Sequence, residues 1–498
     1  MRKFFILVFF IALHISDSKA QEIIIDSVSS HSFGGVQSGR HGSSNYTYYI
    51  TGHDDNKAKT AKLHIHILGR EAHPQNTIAL DVSKSTIVLA SAMADHGLLF
   101  VLGDPVAKTR TIMALENNGE IKATKKEENV SPASFTNTLR VFPGMPDGLI
   151  LFAGGGKNGS YAITRYNRDF EEEWKKEYAA KNGTMEIIAT SSFMDKMMVL
   201  EQIKPDAKKE RYQYHLRTIM TMQGEEIAYN ALEDSGDYMY PATLGDMMGA
   251  SFIGGTYYKN GDFEEKAPVG LLLGQLEPHG RLFHTFKLPF SSLQKFLPDT
   301  KVKDLQNGAQ IIIQAIVPGG RAEFSIICEL LTRQYNNVGA EVTISDPFII
   351  YANGEGEVKG INFVPNVTPT KITMKGKLAK GNIHTVAGWL MKNDAFAYRF
   401  TSRGREARVC FTYVDNENRR KTLSYAVDSP ATGAVMGLPF DREASKANTG
   451  KWEVDTDAPP AALYPWLFQN VIISGRDKVT RYDMAPPKLT IGIFPLPK

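Results

Sequence analysis

A short apolar strand followed by a turn returns about every fifty residues, and this cadence constrains the fold more than any other feature of the chain. Gly97-Leu98-Leu99-Phe100-Val101-Leu102 is answered by Gly148-Leu149-Ile150-Leu151-Phe152, then by Met197-Met198-Val199-Leu200 and Gly249-Ala250-Ser251-Phe252-Ile253. After a longer gap, Ala309-Gln310-Ile311-Ile312-Ile313 extends the series. A second marker repeats in phase. A strand such as Thr111-Ile112-Met113-Ala114-Leu115 runs into a polar turn, and a further strand begins at Ile121. The turn residues Gly119, Asp169, Gly224 and Gly280 stand at intervals of 50, 55 and 56 residues. Such turns need a positive φ, which Gly supplies without steric cost.

The interval and the doubled marker fit a four-stranded propeller blade with its connecting loops. Long helical patterns are nearly absent, while Gly and Tyr are plentiful and the apolar runs short. These features predict an all-β chain, a β-propeller of six to eight four-stranded blades with seven favoured. Thr86-Ile87-Val88-Leu89-Ala90 reads as an inner strand, and Tyr48-Tyr49-Ile50-Thr51-Gly52 carries the phase backwards. Residues 291–305 read as a short helical insertion around Leu293, Phe296 and Leu297. Beyond Cys328 the spacing slips, and the next match is Val386-Ala387-Gly388-Trp389-Leu390, with a hairpin over residues 409–427 as its outer half. Residues 170–181 fit a helix or a strand, and the repeat demands the outer strand there.

Arg2-Lys3, an apolar run from Phe4 to Leu13 and Ser18-Lys19-Ala20 have the form of a secretory signal with cleavage after Ala20. The run is too short to span a bilayer, and no later stretch reads as a span. The expected organisation is a signal over residues 1–20, a propeller over 21–430, and an irregular Pro-rich segment over 431–498. That last segment completes a final blade, with Glu22–Ile25 as the closing strand, or forms a small β appendage. The chain is then periplasmic or extracellular. Losing the signal brings the formal net charge from +3 to about +1, which gives no electrostatic argument for nucleic acid. Cys328 and Cys410 each sit in an apolar alternating stretch and read as two buried thiols, a single disulfide being the alternative.

Chemistry is sparse. In Leu63-His64-Ile65-His66-Ile67 the two imidazoles point to one face of a strand, as two metal ligands would. No HExxH or cysteine pair supplies the rest of a site, and two histidines on the polar face of an amphipathic strand is the competing reading. Asp54-Asp55-Asn56 and Asp455-Thr456-Asp457 do not complete a calcium loop. Gly154-Gly155-Gly156-Lys157-Asn158-Gly159 is followed by a strand and so reads as a hairpin turn rather than a phosphate loop. No serine sits in a GxSxG elbow, and no cofactor is implied. Tyrosines cluster beside turns. Of these, Tyr48, Tyr49, Tyr257 and Tyr258 are candidates to stack on a sugar or peptide, or else to fill the wedges between blades.

The repeated apolar strand, polar Gly turn and second strand resemble the blades of bacterial repeat propellers from about Tyr48 to Glu329. The chain lacks a WD dipeptide, a Kelch double glycine in every blade, and sialidase aspartate boxes, so the resemblance implies a fold and no catalytic residue. The expected function is an exported binding or scaffolding protein for a protein, peptide or glycan. A glycan- or peptide-cleaving hydrolase or lyase is the alternative.

Overall fold

A computed structural model describes the chain from Gln21 to Pro495, apart from residues 27–32, 42–43, 54–59, 70–73, 95–96, 131–138, 144–147, 194, 206–211, 233–236, 248–249, 260–267, 319–322, 338, 354, 380–385, 387–388, 390–397, 404–407, 415–419, 427–433, 436–450, 455–468, 474–477 and 486–487. Residues 1–20, the expected signal, and 496–498 also lie outside the described residues.

Among the described residues eight sheets follow one another along the chain, each built on an antiparallel meander. Blade 1 comprises Phe33–His41, Ser44–His53, Thr60–Leu68 and Pro74–Ser83. Blades 2 to 5 repeat this meander from Ile87–Ala94 through Leu282–Pro289. Blade 6 is Gln310–Pro318, Glu323–Tyr335, Ala340–Asn353 and Val358–Phe363, and blade 7 begins at Tyr398–Arg403 and ends in the two-residue strand Ala434–Val435. In blade 8, Gln469–Ile473, Lys478–Ala485 and Lys488–Pro495 are joined by Gln21–Ile25, which pairs antiparallel with Lys488–Pro495. The eight sheets stand at the top of the expected range, one more than the favoured seven.

The second strands are sandwiched, which explains their unbroken apolar runs. In Gly97–Asp104 every residue is buried. Successive side chains of a strand point to opposite faces. Leu98, Phe100 and Leu102 therefore join Tyr48, Ile50 and Ile65 between blades 1 and 2, while Leu99 and Val101 join Leu149 and Leu151 between blades 2 and 3. Each such side chain, fully buried, stabilises the ring by roughly 1.5–3 kcal/mol. Further cores follow between blades 3 and 4, 4 and 5, 5 and 6, and 6 and 7. Val36, Tyr49 and Leu68 of blade 1 meet Leu489 and Ile491 of blade 8, and the inner strands of blades 7 and 8 touch, which closes the circle.

The recurring polar turn is a hook. It joins the third and fourth strands of its own blade and docks on the blade before it. Asn118 in blade 2 accepts from Asn76 Nδ2 of blade 1 at 2.5 Å through its backbone oxygen, and Thr221 in blade 4 accepts from Trp174 Nε1 of blade 3 at 3.2 Å. His279 in blade 5 accepts from Asn230 Nδ2 of blade 4 at 3.0 Å. Gly224 takes φ +68°, and a Cβ there would lie 2.6 Å from the Trp174 ring, so backbone and neighbour both require glycine.

The chain between strands differs at the two ends of the sheets. Where first meets second strand and third meets fourth, no gap exceeds the seven residues 427–433, and several hold two residues, as at 95–96 and 248–249. At the opposite end the gaps reach 128–138, 260–269 and 290–309, then 364–397 and 436–468 on either side of blade 7. All long additions therefore leave from one face of the ring, called below the elaborated face; the other is the tight face.

Residues 290–309 hold α1 (Phe290–Leu293), a 3₁₀ turn (Gln294–Phe296) and α2 (Asp299–Gln306), matching the expected helical insertion. Residues 172–178 form the outer strand of blade 3 and not a helix. Its exposed glutamates and lysines block a row of free main-chain groups from pairing with another chain. Three expectations are corrected. Ile311-Ile312-Ile313 lie in the inner strand of blade 6, not its second strand, because a buried isoleucine run reads alike in either place. Val386 and Trp389 are helical and lie against the core between blades 6 and 7, with residues 387, 388 and 390 outside the described set. The hairpin of Arg408–Val414 and Arg420–Ala426 is the middle pair of blade 7, not its outer half. Cys328 and Cys410 are both buried and free. No helix among the described residues is long and apolar enough to cross a membrane.

Candidate functional site

In blade 1 the candidate residues form the packing itself. Tyr48 is fully buried against blade 2, and its hydroxyl donates to Asn117 Oδ1 in the hook of that blade. Tyr49 points the opposite way, toward blade 8, and burial pushes its hydroxyl up to about 12. Its ring stacks on His66 at 4.2 Å and 9°, and His66 in turn lies 5.9 Å from the His64 ring. His66 Nδ1 is 3.0 Å from Thr77 Oγ1. Burial, and then the neighbouring His64, lower its basicity to about 4. The two imidazoles thus share one face as the alternation requires. Among the described residues no group of three His, Cys, Asp or Glu is placed to hold a metal ion.

Tyr257 and Tyr258 belong to a larger assembly. Both are buried between blades 4 and 5, together with Tyr214 and Tyr240, while Tyr212 and Tyr238 lie half-buried beside them. These six tyrosines sit near strand ends that open on the elaborated face: Tyr257 and Tyr258 end one strand, and Tyr212, Tyr214 and Tyr238 precede or begin others. Gln202 Nε2 donates to the Tyr214 hydroxyl at 2.8 Å, and the Tyr238 hydroxyl donates to the Tyr212 carbonyl at 3.1 Å. The Tyr214 ring stands edge-on to Tyr240 at 5.6 Å and to Tyr238 at 6.4 Å, geometries the ring quadrupole favours. Burial, with Tyr240 and Tyr238 adding to it, raises the Tyr214 hydroxyl well above its usual range, so it stays neutral. Two cations border the group: Lys204 Nζ lies 5.7 Å from the Tyr212 ring, and Lys287, paired with Asp237 at 2.6 Å, lies 5.5 Å from Tyr257. The signal in sequence was the tyrosine spacing. It gave Tyr257 and Tyr258 and missed Tyr212 and Tyr214, which flank a charged stretch.

A second polar assembly, between blades 3 and 4, has no local sequence signature. Glu201, fully buried, accepts from Tyr161 at 2.5 Å and from Arg217 Nε at 2.7 Å. Arg217 also pairs with Glu226, and its guanidinium is clamped between the rings of Tyr178 at 4.3 Å and Tyr229 at 4.1 Å. Burial, and then the Glu201 charge, raise the Tyr161 hydroxyl far above its ordinary value. Arg217 and Glu201 pair inside the wedge while Glu226 meets the guanidinium at its exposed edge, and with Tyr161 reaching Glu201 from blade 3 the network is a tie between blades.

No protein-family model matches the chain, and no curated relative does. Among solved structures, the chain is similar to the β-propeller domain of the trilobed protease from Pyrococcus furiosus, with 10% identity and a TM-score of 0.40 over 82% of this chain and 100% of that one. It is similar to the WD40 domain of Toxoplasma gondii coronin at 10% identity and a TM-score of 0.36, covering 86% and 89%. A polysaccharide lyase, Uly1, aligns at 8% identity and a TM-score of 0.38 over 98% and 94%. At these scores the architecture rests on the strand pairing itself, and by that pairing the chain is a divergent β-propeller.

Proposed function

We propose that the protein is an exported binding or scaffolding propeller that presents its elaborated face to a protein, peptide or glycan and carries out no chemistry of its own. One observation carries this reading: every long addition to the repeat leaves from the same face. Tight-face turns of blades 2, 4 and 5 are engaged as hooks between blades, so lengthening them would cost the ring its ties. The long additions leave from the face opposite these hooks, and surface loops on a rigid scaffold are where recognition concentrates. The signal-like segment Arg2 to Ala20 supports export.

The test is a hydrogen-exchange footprint of the secreted chain with glycan and peptide libraries. Protection on the segments flanking 260–269, 290–309 and 364–397 is expected. Protection confined to the tight-face hooks, or turnover of any library member, overturns the reading. N-terminal sequencing of secreted protein is expected to start at Gln21.

A further inference from the structure

We propose that Tyr212, Tyr238 and Lys204 form a subsite for an acidic saccharide at the elaborated-face end of the wedge between blades 4 and 5. This rests on the binding reading above and names the ligand class. Three observations converge. Tyr212 and Tyr238 are the half-buried front of a six-tyrosine cluster whose other members are buried, so a wall of ordered rings stands behind two accessible ones. The pair is held together by the Tyr238 hydroxyl on the Tyr212 carbonyl, which limits the ordering that a ligand would impose. Lys204 is exposed, its ammonium lies over the Tyr212 ring at 5.7 Å, and among the described residues it has no carboxylate within ion-pair distance. Lys287, by contrast, is already matched by Asp237.

A sugar ring offers an apolar C–H face to an aromatic ring and hydroxyls to tyrosine and amide groups; a uronic acid adds a carboxylate at its edge. That combination fits two half-buried tyrosines with an exposed ammonium at one of them. The wedge lies in the regular part of the ring: Lys196–Lys204 and Gln213–Met220 pair without a break, and Asp237–Met247 pairs with Ala250–Lys259 in register from Asp237 to Pro241, the one bulge lying beyond the tyrosines.

The experiment is calorimetry on the full secreted chain with three probes: hexagalacturonate, neutral cellohexaose, and a glutamate-rich peptide of matching charge. Hexagalacturonate is expected to bind. Tyr212→Ala should weaken it about tenfold, as loss of one stacking contact implies, while Tyr212→Phe retains it. Lys204→Gln should weaken hexagalacturonate and leave cellohexaose unchanged. Circular dichroism checks that each variant keeps its fold, and where Tyr212→Ala does not, Lys204→Gln carries the test, unchanged hexagalacturonate binding then overturning the subsite. Three outcomes overturn the subsite: no binding of hexagalacturonate, equal binding by a folded Tyr212→Ala, or preferential binding of the peptide. If another ligand protects the elaborated face while Tyr212→Ala leaves it unaffected, the subsite falls and the binding reading stands.

Discussion

Blades 2 to 5 and blades 6 to 8 share one four-stranded unit, but they are held in different ways. In the first arc each blade reaches back to its predecessor through a short turn, and the wedges fill with side chains from adjacent strands. In the second arc blade 6 keeps a hook of this kind, and further ties come from outside the unit. Residues 370–374 extend the sheet of blade 6 through Ala340–Asn353, and Lys451–Val454 pairs with them in parallel. Blade 7 lies between these two segments in the chain, so the same short pairing brackets both its approach and its exit. A repeat can thus lose its regular spacing and keep its geometry, provided that added chain takes over the tying.

The sharpest way to break this contrast is to cut equivalent cores in both arcs. Phe100→Ala, between blades 1 and 2, and Phe411→Ala, between blades 6 and 7, both remove fully buried rings. Each is expected to cost about 3–5 kcal/mol in urea unfolding. A much smaller loss for Phe411→Ala would mean that blade 7 is loosely held. Next in size is Arg217→Met, which strands the buried Glu201 carboxylate and should cost about 3 kcal/mol, with Glu201→Gln in the same chain recovering most of it. An unchanged loss in the double variant would count against the paired-charge account.

Glycines separate strain from contact. Gly224→Ala in a hook meets both a positive φ and the Trp174 ring, and about 2 kcal/mol is expected; Gly308→Ala, at φ +95° with nothing within 4 Å, should lose about 1 kcal/mol. Equal costs would deny the hook its contact.

Smaller still is the effect of acid on the seam between blades 8 and 1. His66 is held near 4, below its unfolded value of 6.5, so the unfolded chain takes up the proton first. Its contribution is complete above pH 6.5 and is lost as the pH falls toward 4. His66→Phe should flatten the stability profile in that window; an unaltered slope would place the titration elsewhere. Smallest is the effect of reductant: with Cys328 and Cys410 both free, none is expected on the melting temperature, and the unfolded chain should titrate two thiols.

Blades 2 to 5 were legible because two signals coincide, a sandwiched strand apolar on both faces and a turn requiring Gly or Asn. The hook of blade 6 carries the same signature: Asn353 Oδ1 accepts from the backbone of Glu357 at 2.8 Å, as Asn167 does from Glu171 at 2.9 Å, and Gly356 has φ +80°. It stands out of phase because the insertion at 290–309 displaces it, so a fixed interval passes over it. The Arg217 network stayed invisible for another reason. Its partners are 9, 16 and 40 residues apart in sequence and meet only when two blades pack. Tyr48 and Tyr49 show the limit of reading aromatics beside turns: alternation sends one to each side of the sheet, and both sides are already filled.

The closing pair in blade 8 also fixes how the ring responds to force. Gln21 lies opposite Ile493 and Ile25 opposite Leu489, so residues 21 and 495 emerge from the same end of the pair. Pulling them apart loads the hydrogen bonds one at a time, as a zipper opens, rather than all together in shear. The ring therefore yields first at its own clasp, over five residues, while the wedges between the other blades carry almost none of the load.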